Sequence, residues 1–592
     1  MSELFKASEG SFFTLSQENR LNIPFFQRRY VWKEENWSEL LNSIFSKEQI
    51  GFIGSIIVQR KENTVGIHEL DVIDGQQRLT TISLLLVAMY DNLDDDKKIA
   101  AKDKFRDTLF SKDFYGTNYY PKIKHSKVDA IDYNKIINLD DSIRKSLNES
   151  TGIIGCYNYF CEELAKKDKE LIKNKFEQLI GGYINYCVII TLEKNADEQA
   201  IFDSLNTSGV LLTSSDTIKN NLFKTAALLY RKQYTQMAES KLNNTYENTW
   251  EKMFIANDHD KYWDQIIITG RIKRLNLELF LYCFAIIKGL YDANDNTISE
   301  LSNVYKKTFR NFKSVDEIDY FIDEMMKYAQ IYMDNFYFET KGVLYEYKHD
   351  SILERLLHVL NTIESTTMYP YVLKLLFEYN NDKDTLNSRL HKLEKYIIIN
   401  NLTRNTTKVK NYNKLVMILL KDENKIDDEL AQIENNSNYI LLDKINNKLA
   451  SMYLFWIELY RRKNEKHDIT ELKYDYTLEH IMPVKWKENW SLILELKHPD
   501  GTSLSEREII ENREQMVHSI GNMTLLKGKL NNKIQNSAFY KKIPSIKKYA
   551  DLKITKDDIV TPYEQGMKDW SEINIKNRQK KLIEDIKNTF LY

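Results

Sequence analysis

Between residues 52 and 73 the chain carries two short runs rich in Ile and Val, "FIGSIIVQR" and "IHELDVI", each bounded by Gly or polar residues. Such runs predict strands. The segment that follows, "RLTTISLLLVAMY" (78–90), is apolar on every side and predicts a buried helix. The acidic stretch after it, "DNLDDDKK" (91–98), predicts a solvated loop. Helical spacing takes over from about residue 145, interrupted by "YCVIITL" (186–192), which predicts a buried strand returning to the first sheet. "DEQAIFDSLNTSGVLLTSSDTIKNNLF" then predicts a helix, a turn at Asn206 to Gly209, a polar cap around Ser214 to Asp216, and a second helix.

From 226 to about 390, aromatic residues recur at intervals of three and four, as in "VYKKTFRNF", and a helical bundle is the plain expectation. Fixed-period repeats and low-complexity linkers are absent from the sequence. The fold class expected is therefore multidomain and predominantly α with α+β parts: an α/β domain over 1–225, a helical bundle over 226–390, and a helical portion with a small β motif over 391–592. At 592 residues the chain exceeds what one hydrophobic core supports, which agrees with two or three domains.

Composition adds to this picture. Only 18 Gly and 7 Pro leave long stretches unbroken, in keeping with helices. The formal net charge of −2 argues for no global affinity for nucleic acid, so any basic surface must be local. The four cysteines, Cys156, Cys161, Cys187 and Cys283, lack CxxC spacing, which argues against structural zinc and for unpaired thiols in a reducing compartment. No basic start followed by an apolar run opens the sequence, and its most apolar window, "LELFLYCFAII", is too short to cross a bilayer. A cytoplasmic protein without membrane contact is expected.

Two constellations carry candidate chemistry. In "VIDGQQRLTT" a strand ends at Asp74, Gly75 turns, and Gln76, Gln77 and Arg78 open a helix. Helix N-termini present unpaired N–H groups and positive dipole to an anion, and glycine allows close backbone approach. Arg78 could fork onto a phosphate, Asp74 hold magnesium, and the glutamines orient a phosphate or water. The same residues also read as a plain turn with a surface ion pair. Upstream, "IPFFQRRYVW" places Gln27 and Arg28 among Phe25, Phe26, Tyr30 and Trp32, which suits bases and phosphates or, equally, an aromatic core with arginine stems packed on it.

The second constellation starts at "TLEHIMP". His480 would stand near a strand end beside Glu479, Pro483 would redirect the chain, and "SIGNMTLLKGKLNNKIQN" would return as a strand and then a helix. This is the order of a ββα-metal (HNH-type) nuclease. A histidine can take a proton from water near neutral pH because its ordinary pKa is about 6.5, and a carboxylate with an amide oxygen can hold a hard divalent ion. Singly, each residue also has a structural reading: a packed histidine, an asparagine turn at Asn522, a helix cap at Asn531.

Taken in order, "FFQRRYVW", "FIGSIIV", "VIDGQQRLTTISLLL" and "AIFDSLNTSGVLLTSSDTIKNNLF" resemble the N-terminal domain of the GmrSD family of modification-dependent (type IV) restriction endonucleases. "EHIMP", "GNMTLL" and "LNNKIQNSAFYKKI" resemble that family's C-terminal HNH domain. The resemblance implies a ParB/sulfiredoxin-like N-terminal domain that binds and hydrolyses a nucleoside triphosphate (GTP, UTP or ATP), with Asp74, Gly75, Gln76, Gln77 and Arg78 in the pocket and Gln27 and Arg28 nearby. Asn206 and Asp216 match its second motif. It further implies His480 as general base, Glu479 and Asn531 as ligands of Mg2+ or Mn2+, and Asn522 as the residue orienting the base. Modified phage DNA is the implied substrate, and pairing of two protomers into a homodimer would allow both strands to be cut.

Between Gly521 and Ala550 stand seven lysines (Lys527, Lys529, Lys533, Lys541, Lys542, Lys547 and Lys548) and no Asp or Glu. A run of this kind predicts a DNA-backbone patch, with a solvated helix face as the alternative. The competing function is a nucleotide-dependent DNA-binding switch whose HNH portion is inert.

Overall fold

The computed structural model describes residues 5–16, 19–60, 68–112, 118–138, 143–144, 146–192, 213–234, 237–269, 272–294, 296–336, 345–404, 412–435, 445–464, 470–487, 489–490, 502–528 and 536–592. It is mostly helical and divides into two compact units, Met1–Tyr246 and Glu247–Tyr592.

Six strands of the first unit form a mixed sheet: β1 (Phe5–Gly10), β2 (Asn19–Asn22), β3 (Ser55–Arg60), β4 (His68–Asp74), β5 (Ile123–Lys124) and β6 (Cys187–Leu192), in spatial order β1-β6-β3-β4-β2-β5. β6 is the returning strand expected from "YCVIITL"; it lies between β1, antiparallel, and β3, parallel. β3 and β4 are antiparallel, with a register shift between Ile57 and Val58 that leaves Asp74 opposite Ile57. Helix α1 (Gln76–Asp91) follows β4 directly, and every residue from Leu79 to Met89 is buried. A helix apolar all round has no face for water, so its position in the core follows from its sequence.

The loop expected over "DNLDDDKK" is mostly helix instead: α2 (Asp95–Leu109) starts within it. Asp95 and Asp96 occupy its first turn, where the exposed N–H groups favour negative charge; an acidic run beside a helix start is a start signal as much as a loop signal. The polar cap expected around Ser214 is made by Thr213, whose Oγ1 accepts from Asp216 N at 3.0 Å as α4 (Ser214–Tyr234) begins. The turn expected at Asn206 to Gly209 lies outside the described residues.

The main chain at 28–32 is held by three side chains. Gln76 Nε2 donates to Arg28 O and Gln77 Nε2 to Arg29 O, each at 3.2 Å, while Gln77 Oε1 accepts from Val31 N at 2.9 Å. Asp129, on α3 (Lys127–Ile137), accepts from Tyr30 N at 2.9 Å. Tyr30 and Trp37 are core residues, joined by a Trp37 Nε1–Tyr30 Oη hydrogen bond of 2.9 Å. Of the two readings of this aromatic stretch, the packed core describes them.

In the second unit, Phe280 on α5 (Asn276–Ile287) and Tyr332 on α6 (Val315–Asn335) pack their rings with Trp263 in a helical core. No helix among the described residues is long and apolar enough to cross a membrane. Further on come α7 (Asn447–Asn464), β7 (Tyr476–His480), α8 (Glu506–Met516), β8 (Met523–Lys527), α9 (Phe539–Tyr549) and α10 (Glu572–Phe590). β7 and β8 pair antiparallel, Glu479 facing Thr524 and His480 facing Met523. They form a two-stranded ribbon too small to stand alone; α7 packs against both strands, and α10 against the turn at Ile520–Asn522 that leads into β8.

Burial raises the Asp129 carboxyl to about 6, opposed by the Tyr30 N–H and by Arg29. A folded pKa above the unfolded value of about 3.9 means the folded unit binds this proton more tightly, so Asp129's contribution to stability is complete below pH 4 and lost as pH rises through 6. Asp129→Asn should therefore gain Tm relative to the parent protein between pH 4 and pH 7. Parallel melting curves across that range check it, and a constant difference would contradict the assignment.

Candidate functional site

In the N-terminal unit Gly75 caps α1 with φ +92°, a conformation glycine adopts without strain. A Cβ there would come within 3.2 Å of the Ile56 Cα and the Ser55 carbonyl oxygen. Gln76 and Gln77 are buried and turned to the 28–32 main chain, so they position Arg28 and do not themselves face an anion. Arg78 is likewise engaged inside, Nη1 donating to Ser55 O at 2.9 Å, and a Cβ on Gly54 would lie 2.7 Å from its Nε. All three side chains serve main chain at this strand-to-helix turn, which must satisfy its own buried N–H and C=O groups.

The charges gather slightly to one side. Burial lowers the Arg28 pKa while Asp216 and then Asp74 oppose that shift, placing two carboxylates in its field. Lys219, buried on α4, forms an ion pair with Asp216 at 3.5 Å. Sequence neighbours of Arg28 and Lys219 line a cavity of about 230 Å3, with Phe25, Phe26, Gln27, Asp71, Asn220 and Asn221 in its wall. Gln27 Nε2 donates to Val72 O at 2.6 Å. Lys219 was not legible as a site residue, because only the return of α4 to the sheet brings it to Arg28. Asn206 lies outside the described residues.

In the C-terminal unit His480 closes β7. Its Nε2 is buried and has no hydrogen-bond partner among the described residues. Burial, then the neighbouring His518 and Lys542, depress its pKa to about 4, so the ring is neutral at pH 7. The His518 ring stands across it, centroids 6.2 Å apart and planes at 82°.

Glu479 points to the other face of the ribbon, as consecutive strand residues must. Its Oε1 accepts from Lys542 Nζ at 2.5 Å, and the same ammonium donates to His480 O at 2.9 Å. Lys542 is fully buried on α9 and is no part of a DNA-facing surface. Burial raises the Glu479 pKa and lowers that of Lys542, each shift opposed by the partner.

Asn522 does not aim the His480 ring. Its Oδ1 accepts from Met482 N at 2.9 Å and Trp570 Nε1 at 3.1 Å, and its Nδ2 donates to Met482 O at 2.8 Å and Val517 O at 2.9 Å. Two donors and two acceptor positions are all a side-chain amide has, so none is left for an imidazole. Arg578 on α10 braces the same point, Nη1 donating to Gly521 O at 3.0 Å. A Cβ on Gly521 would lie 2.2 Å from Ile575 O, and only glycine fits under α10.

Three lysines of the expected basic run have acidic partners. Lys527 pairs with Asp475 at 2.5 Å, Lys547 with Glu564 at 2.7 Å, and Lys542 with Glu479; Lys541 lies 5.7 Å from the Tyr540 ring centroid. Acidic partners distant in sequence are invisible to a local charge count. Lys529, Lys533 and Asn531 lie outside the described residues. Among the described residues no three His, Cys, Asp or Glu side chains gather as a cation site. Glu479, the described one of the two expected metal ligands, is held by Lys542.

Asn522→Ala would orphan the buried Met482 N–H and C=O together. A loss of more than about 3 kcal/mol is expected in urea unfolding, against a smaller change for His480→Ala, whose Nε2 holds no hydrogen bond. Equal losses would return Asn522 to a purely local role.

A family model for the GmrSD restriction endonuclease N-terminal domain matches residues 10–223, and one for the GmrSD restriction endonuclease C-terminal domain matches residues 394–585. A search of curated proteins finds no match to the chain. Each domain match falls within one of the two compact units and holds its candidate residues. The chain belongs to the GmrSD restriction endonuclease family, and that membership implies nuclease activity on DNA and, in general terms, dependence on a divalent metal.

Proposed function

We propose that this phage-defence DNA endonuclease cuts or nicks modified DNA at an HNH-type centre whose general base is His480, under the control of a nucleoside triphosphate held by a ParB/sulfiredoxin-like N-terminal unit. The observation that carries the reading is the His480 ring: neutral at pH 7, at a strand end, with a buried Nε2 that no described group engages. A neutral imidazole nitrogen without a partner can accept a proton from water as that water's oxygen attacks phosphorus and the bond from phosphorus to the leaving sugar oxygen breaks. The Lys542 ammonium, donating to His480 O, holds the strand end in place while the ring works. Magnesium or manganese is the metal we assign to the family's general requirement, with Asn531 and Glu479 as its expected ligands; Glu479 would have to release Lys542 to serve.

In the N-terminal unit Asp74, Arg28, Asp216 and Lys219 form the charged group suited to a triphosphate, and the cavity beside Phe25 and Phe26 suits its base. GTP, UTP and ATP are equally compatible. The buried Glu479–Lys542 pair favours a second reading, a nucleotide-dependent DNA-binding sensor with an inert HNH portion, because a carboxylate already neutralised has no need of a metal.

Cleavage of modified and unmodified phage DNA with each triphosphate and magnesium decides between them. His480→Ala is expected to lower cleavage by about 10²–10⁴-fold with folding intact. Cutting at the parent rate would remove the catalytic assignment, and absence of cutting by the parent protein under every nucleotide and metal would favour the sensor. Separately, Arg28→Ala should abolish triphosphate hydrolysis without unfolding the unit, as read by phosphate release; unchanged turnover would remove the pocket.

A further inference from the structure

Acidic partners on Lys527, Lys542 and Lys547 leave open where DNA meets the C-terminal unit. An answer lies just past the candidate base. The chain leaves β7 at His480, and Trp486, 5% exposed, anchors the next segment beneath the Arg513 guanidinium, 5.0 Å from the ring centroid. Arg513 is itself fixed by Glu572, at 2.5 Å. Anchoring position 486 turns its two neighbours outward, and Lys485 and Lys487 are both exposed. They border a cleft of about 460 Å3 whose other wall is Glu514, Val517 and His518. His518 is the imidazole standing 6.2 Å from that of His480, so one wall of the cleft borders the base.

The charges in this cleft differ from that on Lys542, which is buried against Glu479. Lys485 has no carboxylate partner among the described residues; Lys487 stands 5.7 Å over the Trp486 ring centroid and reaches Glu514 at 3.3 Å, with side chains 68% and 54% exposed. An exposed pair of this kind is worth about 0–1 kcal/mol and yields readily to a stronger anion. Two lysines and an imidazole beside a hydrolytic base match the chemistry of a phosphodiester strand, whose affinity comes from backbone charge and carries no base preference.

We propose that Lys485, Lys487 and His518 form a phosphate-binding subsite that holds the DNA backbone next to the phosphate attacked at His480, with Glu514 as a built-in competitor for Lys487. The proposal rests on the nuclease reading for its location, and its test is read by binding so that the two can fail separately. In a His480→Ala background, the full-length chain is titrated into a fluorescent DNA duplex by anisotropy over a series of salt concentrations. Lys485→Ala with Lys487→Ala should weaken binding and lower the slope of log affinity against log salt by about 2, near 0.9 for each phosphate that is no longer neutralised. His518→Ala should weaken binding at every salt concentration.

Glu514→Gln should act in the opposite direction, tightening binding, a result no folding defect can imitate. An unchanged slope in the double lysine variant, or Glu514→Gln binding no tighter than its parent, overturns the subsite. Cleavage by His480→Ala at the parent rate would instead overturn the catalytic reading and leave these binding outcomes to stand or fall on their own.

Discussion

One fully buried ammonium organises the C-terminal site. Lys542 Nζ sits between Glu479 Oε1, at 2.5 Å, and the His480 carbonyl oxygen, at 2.9 Å. A charge removed from water must be paired and hydrogen-bonded, and breaking such a pair leaves an uncompensated ion that costs several kcal/mol. That requirement ties α9 to the end of β7 and sets which face each residue of the Glu479–His480 step presents. The carboxylate goes inward to the lysine, and the imidazole goes to the side where His518 and the basic cleft lie.

Both candidate sites rest on side-chain amides that serve main chain. Gln76 and Gln77 hold the 28–32 segment, and Asn522 closes all four of its hydrogen bonds on Met482, Val517 and Trp570. The physical cause is common to them. Where a strand gives way to a turn inside a core, N–H and C=O groups lose their ladder partners, and an amide can replace both a donor and an acceptor at once. These residues act on function through position: they place Arg28 at one site and the strand end carrying His480 at the other.

This arrangement accounts for which candidate residues keep reactive character. Arg28, Asp74, Asp216 and Lys219 remain as a mixed charged group after the glutamines and Arg78 are engaged inside. His480 keeps an unengaged ring nitrogen because its neighbours on the ribbon and in α9 satisfy themselves. Burial that removes water from the imidazole also keeps it unprotonated at neutral pH, which is the state a general base requires.

Local sequence determined a good deal of this protein. Ile- and Val-rich runs specify β3, β4 and β6, the uniformly apolar 79–89 stretch specifies a buried helix, and "EHIMP" with "GNMTLL" specifies two strands meeting at His480 and Met523, because side-chain periodicity and backbone preference act over a few residues. What tertiary structure alone decided are the partnerships across long separations. Lys542 meets Glu479 across 63 positions, Asn522 meets Met482 across 40, and acids elsewhere pair with Lys527 and Lys547. Pairing of that kind depends on how helices return to a strand, and no window of neighbouring residues carries that information.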